Sequence, residues 1–523
     1  MSPIPALLFC LLLLPAVAPA AEPVRLVVVV SVDQLRPDTL AAYRDEYQGG
    51  LGRLLKHARS FDCVHDHAIT FTGPGHSVLL TGLHPRRTGI ALNHWRDPAT
   101  LRTVYCVEDA EHRVFGDPRR TASPRLLRCD ALGDWMRRRN PRSKVYSVAG
   151  KDRSAVLMGG QHPGAALWYD HVRGGFTSST YYFPYGLPDW VDAFRNDGWL
   201  RSLPAAWTYE PSPHLRRDDD PRESPRNNRA SPHPLRTGML MRTLSNIYGS
   251  PYLDEWTLRF ARALVERHDL GGDEAPDLLC IGLSATDTVG HLYGPRSQEI
   301  RDVVLHLDRG LGEFFAFLDA RGAPYVVALC ADHGVLALDD LKAVNGTEAG
   351  REVKAALQER LGAGLWTSLH KHGGSPAPNL YLDRALCAER GVAPERVLRA
   401  LKQVLSARPE VAAVYDRAQL SGTEATDDLL LALARNSYAP GRTGDLVFLT
   451  KPGVLYRTGP GTSHGSPYAY DREVPLLFIG PGIEPGPGGA ARTIDLGPTL
   501  AVLLGLEPPA DLDGAPLALR GSR

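Results

Sequence analysis

The sequence predicts an α/β fold with a doubly wound, mostly parallel central sheet, helices on both faces, and cap-like insertions. Two observations predict it: short apolar runs rich in β-branched residues recur along the chain, and amphipathic helical patterns separate them. Parallel strands buried on both faces read as continuous apolar runs, and their crossovers are helices. Open sheets of this kind place ligands at the carboxyl ends of their strands.

The apolar runs are residues 25–32, 144–148, 277–283, 325–329 and 475–479, each short enough for a strand. Residues 252–268 and 299–320 carry apolar positions at three- and four-residue steps and are expected as helices. Residues 211–234 are crowded with Pro, Arg, Asp, Asn and Ser, so they are expected as an exposed loop. Insertions beside the sheet are expected at about 96–128, 160–250 and 336–457, where the strand rhythm breaks. The chain shows no internal repeat, and the mature part, 21–523, is read as one catalytic domain.

Residues 1–20 read as a signal peptide: an apolar run over 6–17 ends in Ala18-Pro19-Ala20, too short to span a bilayer comfortably. The expected location is periplasmic or secreted, with no stable membrane span after cleavage. Six cysteines remain in the mature chain; Cys280 and Cys330 lie in apolar runs as expected buried thiols, and Cys106 with Cys129 is the first candidate for a disulfide. Lys plus Arg equals Asp plus Glu at 59 each, so no global field favours nucleic acid or an anionic membrane, and no nucleic-acid module is visible. An anionic substrate must be held by local charge.

That local charge lies at the strand ends. The first run leads into Asp33, the third to Asp287 and His291, the fourth to Asp332-His333, and His464 sits in a glycine-rich loop before the last. Any one of these has an ordinary explanation, as a turn cap or a surface histidine. Together they form two sets of oxygen and nitrogen ligands suited to zinc sites that keep an open position. Asp287 and His291, four apart, share a face if the segment is helical, and His464 completes one set. Asp33, Asp332 and His333 form the other. Thr72, before Gly73-Pro74-Gly75-His76, would sit at a helix start beside backbone donors, as a nucleophile or merely as an N-cap, with Thr70 a neighbouring competitor. Lys151 and Arg153 follow the 144–148 run, and in extended chain both would project to one side.

These motifs resemble the alkaline phosphatase superfamily, in its threonine-nucleophile branch of bacterial monomeric phosphatases and related type I phosphodiesterase/nucleotide pyrophosphatases. The resemblance spans nearly all of the mature chain, through Asp33-Gln34, Thr72 to His76, Asn93-His94-Trp95, Gly150 to Arg153, Asp287 to His291, Ala331 to Gly334 and His464-Gly465-Ser466. It implies an alkaline phosphatase-like fold and two Zn2+ per chain. One ion would be held by Asp33, Thr72, Asp332 and His333, the other by Asp287, His291 and His464. It also implies Thr72 rather than Thr70 as nucleophile, with a phosphothreonine intermediate, and Asn93, Lys151 and Arg153 around the transferred phosphoryl group.

In that branch the Lys-x-Arg pair marks monoesterases, so the expected activity is hydrolysis of small-molecule phosphate monoesters by a monomer. A phosphodiesterase or nucleotide pyrophosphatase on the same scaffold is the alternative, and an inactive phosphate-ester-binding protein the remote one. The segment Cys63 to His67 lacks the Cys/Ser-x-Pro-x-Arg pattern of sulfatases.

Overall fold

The computed structural model describes residues 23–364, 366–372 and 375–521. The expected signal peptide lies outside them. Among the described residues no helix is long and apolar enough to cross a membrane.

Nine strands form the central sheet: β1 (Leu26–Val32), β2 (Arg59–Val64), β3 (Val145–Ala149), β4 (Ala165–Tyr169), β5 (Phe176–Thr177), β6 (Asp277–Leu283), β7 (Tyr325–Cys330), β8 (Glu473–Ile479) and β9 (Gly486–Arg492). Their order is β9-β2-β8-β7-β1-β6-β3-β4-β5. The core, β7-β1-β6-β3-β4, is parallel throughout. Every residue of β1 and β6 is buried, the condition under which continuous apolar runs are expected. The 475–479 run is a strand, but β8 runs antiparallel to both β7 and β2. An apolar run reports burial and not direction, so the sequence could not show this.

The helices that position the site are α1 (Thr72–Leu79), α2 (Asp152–Gly159), α3 (Leu240–Tyr248), α4 (Tyr252–His268), α5 (Ala285–Tyr293) and α6 (Gln298–Arg321). The two expected from periodicity, α4 and α6, lie where the apolar steps put them. The range 160–250 also contributes β4 and β5 to the sheet. Within 336–457 a separate four-stranded antiparallel sheet (Thr367–His372, Ser375–Leu382, Val411–Asp416, Leu446–Thr450) packs with helices Gly346–Leu361 and Pro394–Ser406 around its own apolar cluster.

Besides the direction of β8 and the place of β4 and β5 in the sheet, two further expectations need correction. Segment 211–234 is irregular but not simply exposed: Asp220, Glu223, Asn227 and His233 are buried. Its charges satisfy one another, Arg216 with Glu223 at 2.6 Å and Arg222 with Asp220 at 2.6 Å, which lets polar chain be buried. Cys106 and Cys129 are not joined; all six described cysteines are free thiols, and Cys280 and Cys330 are buried as expected.

The C-terminal tail is held to the sheet edge by His84, whose Nε2 lies 2.8 Å from Asp66 and Nδ1 3.1 Å from Asp513. Burial lowers the affinity of this imidazole for a proton, but its bonds to Asp513 and Asp66 outweigh that and lift its pKa to about 9. A raised folded-state value contributes stability that is complete below the unfolded pKa near 6.5 and is lost as pH rises through about 9. Urea unfolding should therefore show the wild type losing up to about 3 kcal/mol relative to His84→Gln between those limits, at 1.36 kcal/mol per pKa unit. Parallel pH profiles for the two proteins would contradict this.

Candidate metal and phosphoryl site

Four adjacent parallel strands deliver the site. Their register aligns Val32 with Leu283, Ser31 with Cys330 and Gly282 with Ala149. The residues that follow, Asp33, Asp287, Asp332 and Lys151, therefore emerge at one rim. The Asp254 carboxylate on α4 accepts from the N–H groups of Ser284 (2.7 Å) and Ala285 (3.1 Å), fixing the start of α5. On that helix Asp287 and His291 share a face, with His291 Nε2 3.2 Å from Asp287 Oδ1.

Donors of Asp33, Asp332 and His333 lie within 4.8 Å of one another, as do those of Asp287, His333 and His464. His333 stands between the two sets, its ring stacked on His464 at 3.6 Å. Each imidazole is held from behind by its Nδ1: His291 to Thr462 O (2.8 Å), His333 to Gly334 O (2.9 Å) and His464 to Thr70 O (2.7 Å). A carbonyl can only accept, so each Nδ1 carries the proton and each Nε2 presents a lone pair to the carboxylates.

The charge balance is lopsided. Asp33, Asp287 and Asp332 are buried together, and Lys151 Nζ lies 2.6 Å from Asp33 and 2.5 Å from Asp287. Burial, then the charges of Asp287 and Asp332, push the Asp33 carboxyl well above the usual range. Burial acts the same way on Asp287, but the Lys151 ammonium helps outweigh it and that group is held well below its ordinary value. Burial, then the neighbouring His333 and His291, lowers His464. Three buried carboxylates facing one ammonium and lone-pair-bearing imidazoles form a donor set that fits divalent cations.

Thr72 is the first residue of α1, with Phe71 extended before it. Its Oγ1 lies 3.3 Å from Arg153 Nη2 and 3.5 Å from His333 Nε2. The Thr70 hydroxyl instead donates to Ser466 O at 3.0 Å, and the Thr70 carbonyl holds His464. A Cβ on Gly75 would come within 2.0 Å of Asp332 O, so the close approach of α1 to that backbone demands glycine. Asn93, buried, accepts from Gly73 N–H through Oδ1 at 2.5 Å.

The expectation that Lys151 and Arg153 align as alternate residues of extended chain is corrected: Lys151 is the extended N-cap of α2, and Arg153 is already helical. Both still reach the site, Lys151 at the carboxylates and Arg153 at Thr72. Arg153 is steered by Tyr105 (Nη1 to Oη, 3.4 Å) and by Asp152, which accepts from the Arg153 N–H at 2.8 Å and pairs with Arg120 at 2.8 Å.

Several site residues had no role in the sequence reading. His76 Nδ1 lies 3.0 Å from Thr72 O and 3.1 Å from Asp332 Oδ2, tying the nucleophile candidate to a ligand candidate. Gln34 sits in the left-handed region at φ 69°. From there its N–H reaches Asp332 Oδ1 (3.2 Å) and its Nε2 reaches Asp287 Oδ1 (2.8 Å), one contact to each ligand set. Both residues lie inside quoted motifs, so adjacency was a usable signal; Tyr105 and Asp254 had none.

The family described as type I phosphodiesterase / nucleotide pyrophosphatase matches residues 27–470. Alkaline phosphatase PhoK of Sphingomonas sp is 35% identical over 534 aligned positions, covering 96% of this chain and 92% of PhoK. Alkaline phosphatase PafA of Elizabethkingia meningoseptica is 30% identical, covering 94% of each chain. A crystal structure of PafA superposes with a TM-score of 0.85 at 29% identity, over 95% of this chain and 98% of that one. Murine ectonucleotide pyrophosphatase/phosphodiesterase 5, at TM-score 0.55 and 16% identity over 92% of this chain and 96% of its own, shares the fold.

Proposed function

Because this chain belongs to the type I phosphodiesterase / nucleotide pyrophosphatase family, we propose that it hydrolyses phosphate monoesters with Thr72 as nucleophile and two zinc ions in the paired ligand sets. The chain is an alkaline phosphatase, a phosphoric monoester hydrolase. The observation that carries the metal assignment is the three Nδ1-anchored imidazoles aimed at three buried carboxylates. Asp33, Asp332 and His333, with the Thr72 hydroxyl, would hold one ion, and Asp287, His291 and His464 the other. Bound ions supply Lewis acidity and positive charge where the phosphoryl group reacts.

The chain's own residues set the geometry. Thr72 Oγ1, at the N-terminus of α1, attacks phosphorus as the bond to the leaving oxygen breaks, giving phosphothreonine and an alcohol. Water then attacks the same phosphorus, releasing inorganic phosphate and restoring the threonine. Arg153, beside Oγ1, stabilises non-bridging oxygens, helped by Asn93 and by backbone N–H groups of α1. Lys151 adds a cation at the junction of the two ligand sets. A monoester dianion presents three such oxygens, more than a diester, so this concentration of cations favours the monoester. We further propose that the chain from residue 21 acts as one catalytic domain with the 336–457 module as cap, exported and monomeric.

The direct test is release of inorganic phosphate from 4-nitrophenyl phosphate by zinc-loaded protein, with labelled phosphate trapped on Thr72 by acid quench. Metal-loaded protein inert toward every phosphate monoester would defeat the reading. Gln34 gives a second test. Gln34→Ala removes the side-chain bond to Asp287, and zinc affinity measured by chelator competition should fall by about 10- to 100-fold, as losing a bond that orients a ligand does. Unchanged affinity in the folded variant would show that Asp287 needs no such support.

A further inference from the structure

Beside the site lies a cavity of about 310 Å3 whose walls include Arg226, Ser245, Asn246, Tyr248 and Thr288. Thr288 follows Asp287 on α5. The half-buried Tyr248 phenol, on α3, lies in the field of Lys151 and Arg153. Arg226 belongs to the 211–234 loop, which is pinned against the same ligand cluster. Ser224 N–H donates to Leu292 O at 2.9 Å, Gly461 N–H to Arg222 O at 2.6 Å, and Tyr293 Oη to Asn228 O at 2.9 Å. Thr462, next in the chain to Gly461, bonds His291 at both its N–H and its carbonyl. His291 is also where the site opens: its side chain is 33% exposed, against 7% for Asp287 and 4% for His464.

We propose that this cavity seats the leaving group of the phosphate ester, and that it suits a hydroxylated leaving group carrying a second anionic group, as a sugar bisphosphate does. The proposal rests on the monoesterase reading. In the proposed two-ion arrangement, in-line displacement sends the leaving oxygen away from Thr72, toward the Asp287, His291 and His464 set, and Thr288 and Leu292, which follow Asp287 and His291 on α5, line the cavity. Ser245 and Asn246 offer hydrogen-bonding groups to hydroxyls, and the Tyr248 ring offers a flat face. The charge preference comes from Arg226. Arg216, Arg217 and Arg222 of the same loop pair with Asp or Glu, whereas among the described residues no carboxylate pairs with Arg226 or Arg229, whose Nε bonds the Glu223 carbonyl, and of these two Arg226 lines the cavity. Its Nη2 bonds only the neutral Ser245 hydroxyl, at 3.1 Å, which leaves its charge for an anion.

The test compares kcat/KM for fructose 1,6-bisphosphate and 4-nitrophenyl phosphate in zinc-loaded wild type, Arg226→Ala and Arg226→Glu. Arg226→Ala should reduce the bisphosphate-to-aryl ratio by about tenfold, the scale of one charge-assisted contact, and Arg226→Glu should reduce it further. Arg226→Lys should recover part of the ratio. A ratio unchanged in Arg226→Ala and Arg226→Glu, with the wild type active on the aryl ester, overturns the cavity assignment alone. A wild type inert on both esters overturns the monoesterase reading and this inference with it.

Discussion

Thr72→Ala is expected to lower kcat by about four to six orders of magnitude, the scale seen when a covalent nucleophile is removed, while metal content stays close to wild type. The reason is a division of labour within the site. Six of the seven candidate ligand side chains come from other residues; the three imidazoles are supported by Thr462, Gly334 and Thr70 carbonyls and the carboxylates by Gln34, His76 and Lys151, not by the Thr72 hydroxyl. Alanine keeps the α1 backbone, so the His76 bond to the residue-72 carbonyl survives. Metal analysis of the purified variant, with steady-state rates on 4-nitrophenyl phosphate, separates loss of chemistry from loss of metal. Undiminished turnover would remove Thr72 from the mechanism. Thr70→Ala is the control: Thr70 spends its hydroxyl on Ser466, and its backbone carbonyl, which supports His464, is retained.

The second large effect concerns substrate class. Lys151→Ala combined with Arg153→Ala should depress monoesterase kcat/KM by about 10^3-fold or more, since removing one preorganised transition-state donor typically costs about 10^2–10^3. Diesterase activity on the matched aryl diester should fall far less, because a diester offers one negative charge and two non-bridging oxygens. Equal losses on the two substrates would contradict the monoester assignment and favour a phosphodiesterase on the same scaffold. Lys151 also pairs with Asp33 and Asp287, so the double variant needs its metal content measured. Arg153→Ala alone provides the cleaner comparison, because Arg153 touches Thr72 and Tyr105 and no carboxylate of the two ligand sets.

Much of the site was legible because its chemistry is tied to strand ends. A strand buried on both faces has to be apolar, so an aspartate within a few residues of its end is conspicuous. Asp33, Asp287 and Asp332 stood out for that reason, and helical spacing then linked Asp287 to His291. Residues whose signal lies in three dimensions did not stand out. Nothing near Tyr105 or Asp254 marks a partner 47 or 30 residues away. The polar composition of 211–234 indicated irregular chain correctly, but burial followed from charges that neutralise each other across the loop, which composition does not encode.

By itself, the sequence determined the fold class and four of the five strands of the parallel core, because burial restricts residue types position by position, and it offered candidate metal and phosphate side chains through strand-end position and family resemblance. Tertiary structure alone decided that β4 and β5 join the sheet, that β8 runs antiparallel, that Cys106 and Cys129 stay apart, that Lys151 and Arg153 sit at a helix start, and that His76 and Gln34 contact the candidate ligands. Those outcomes depend on strand direction and on distances between remote segments. A local pattern of residue types carries neither, since the same pattern is compatible with either direction and many separations.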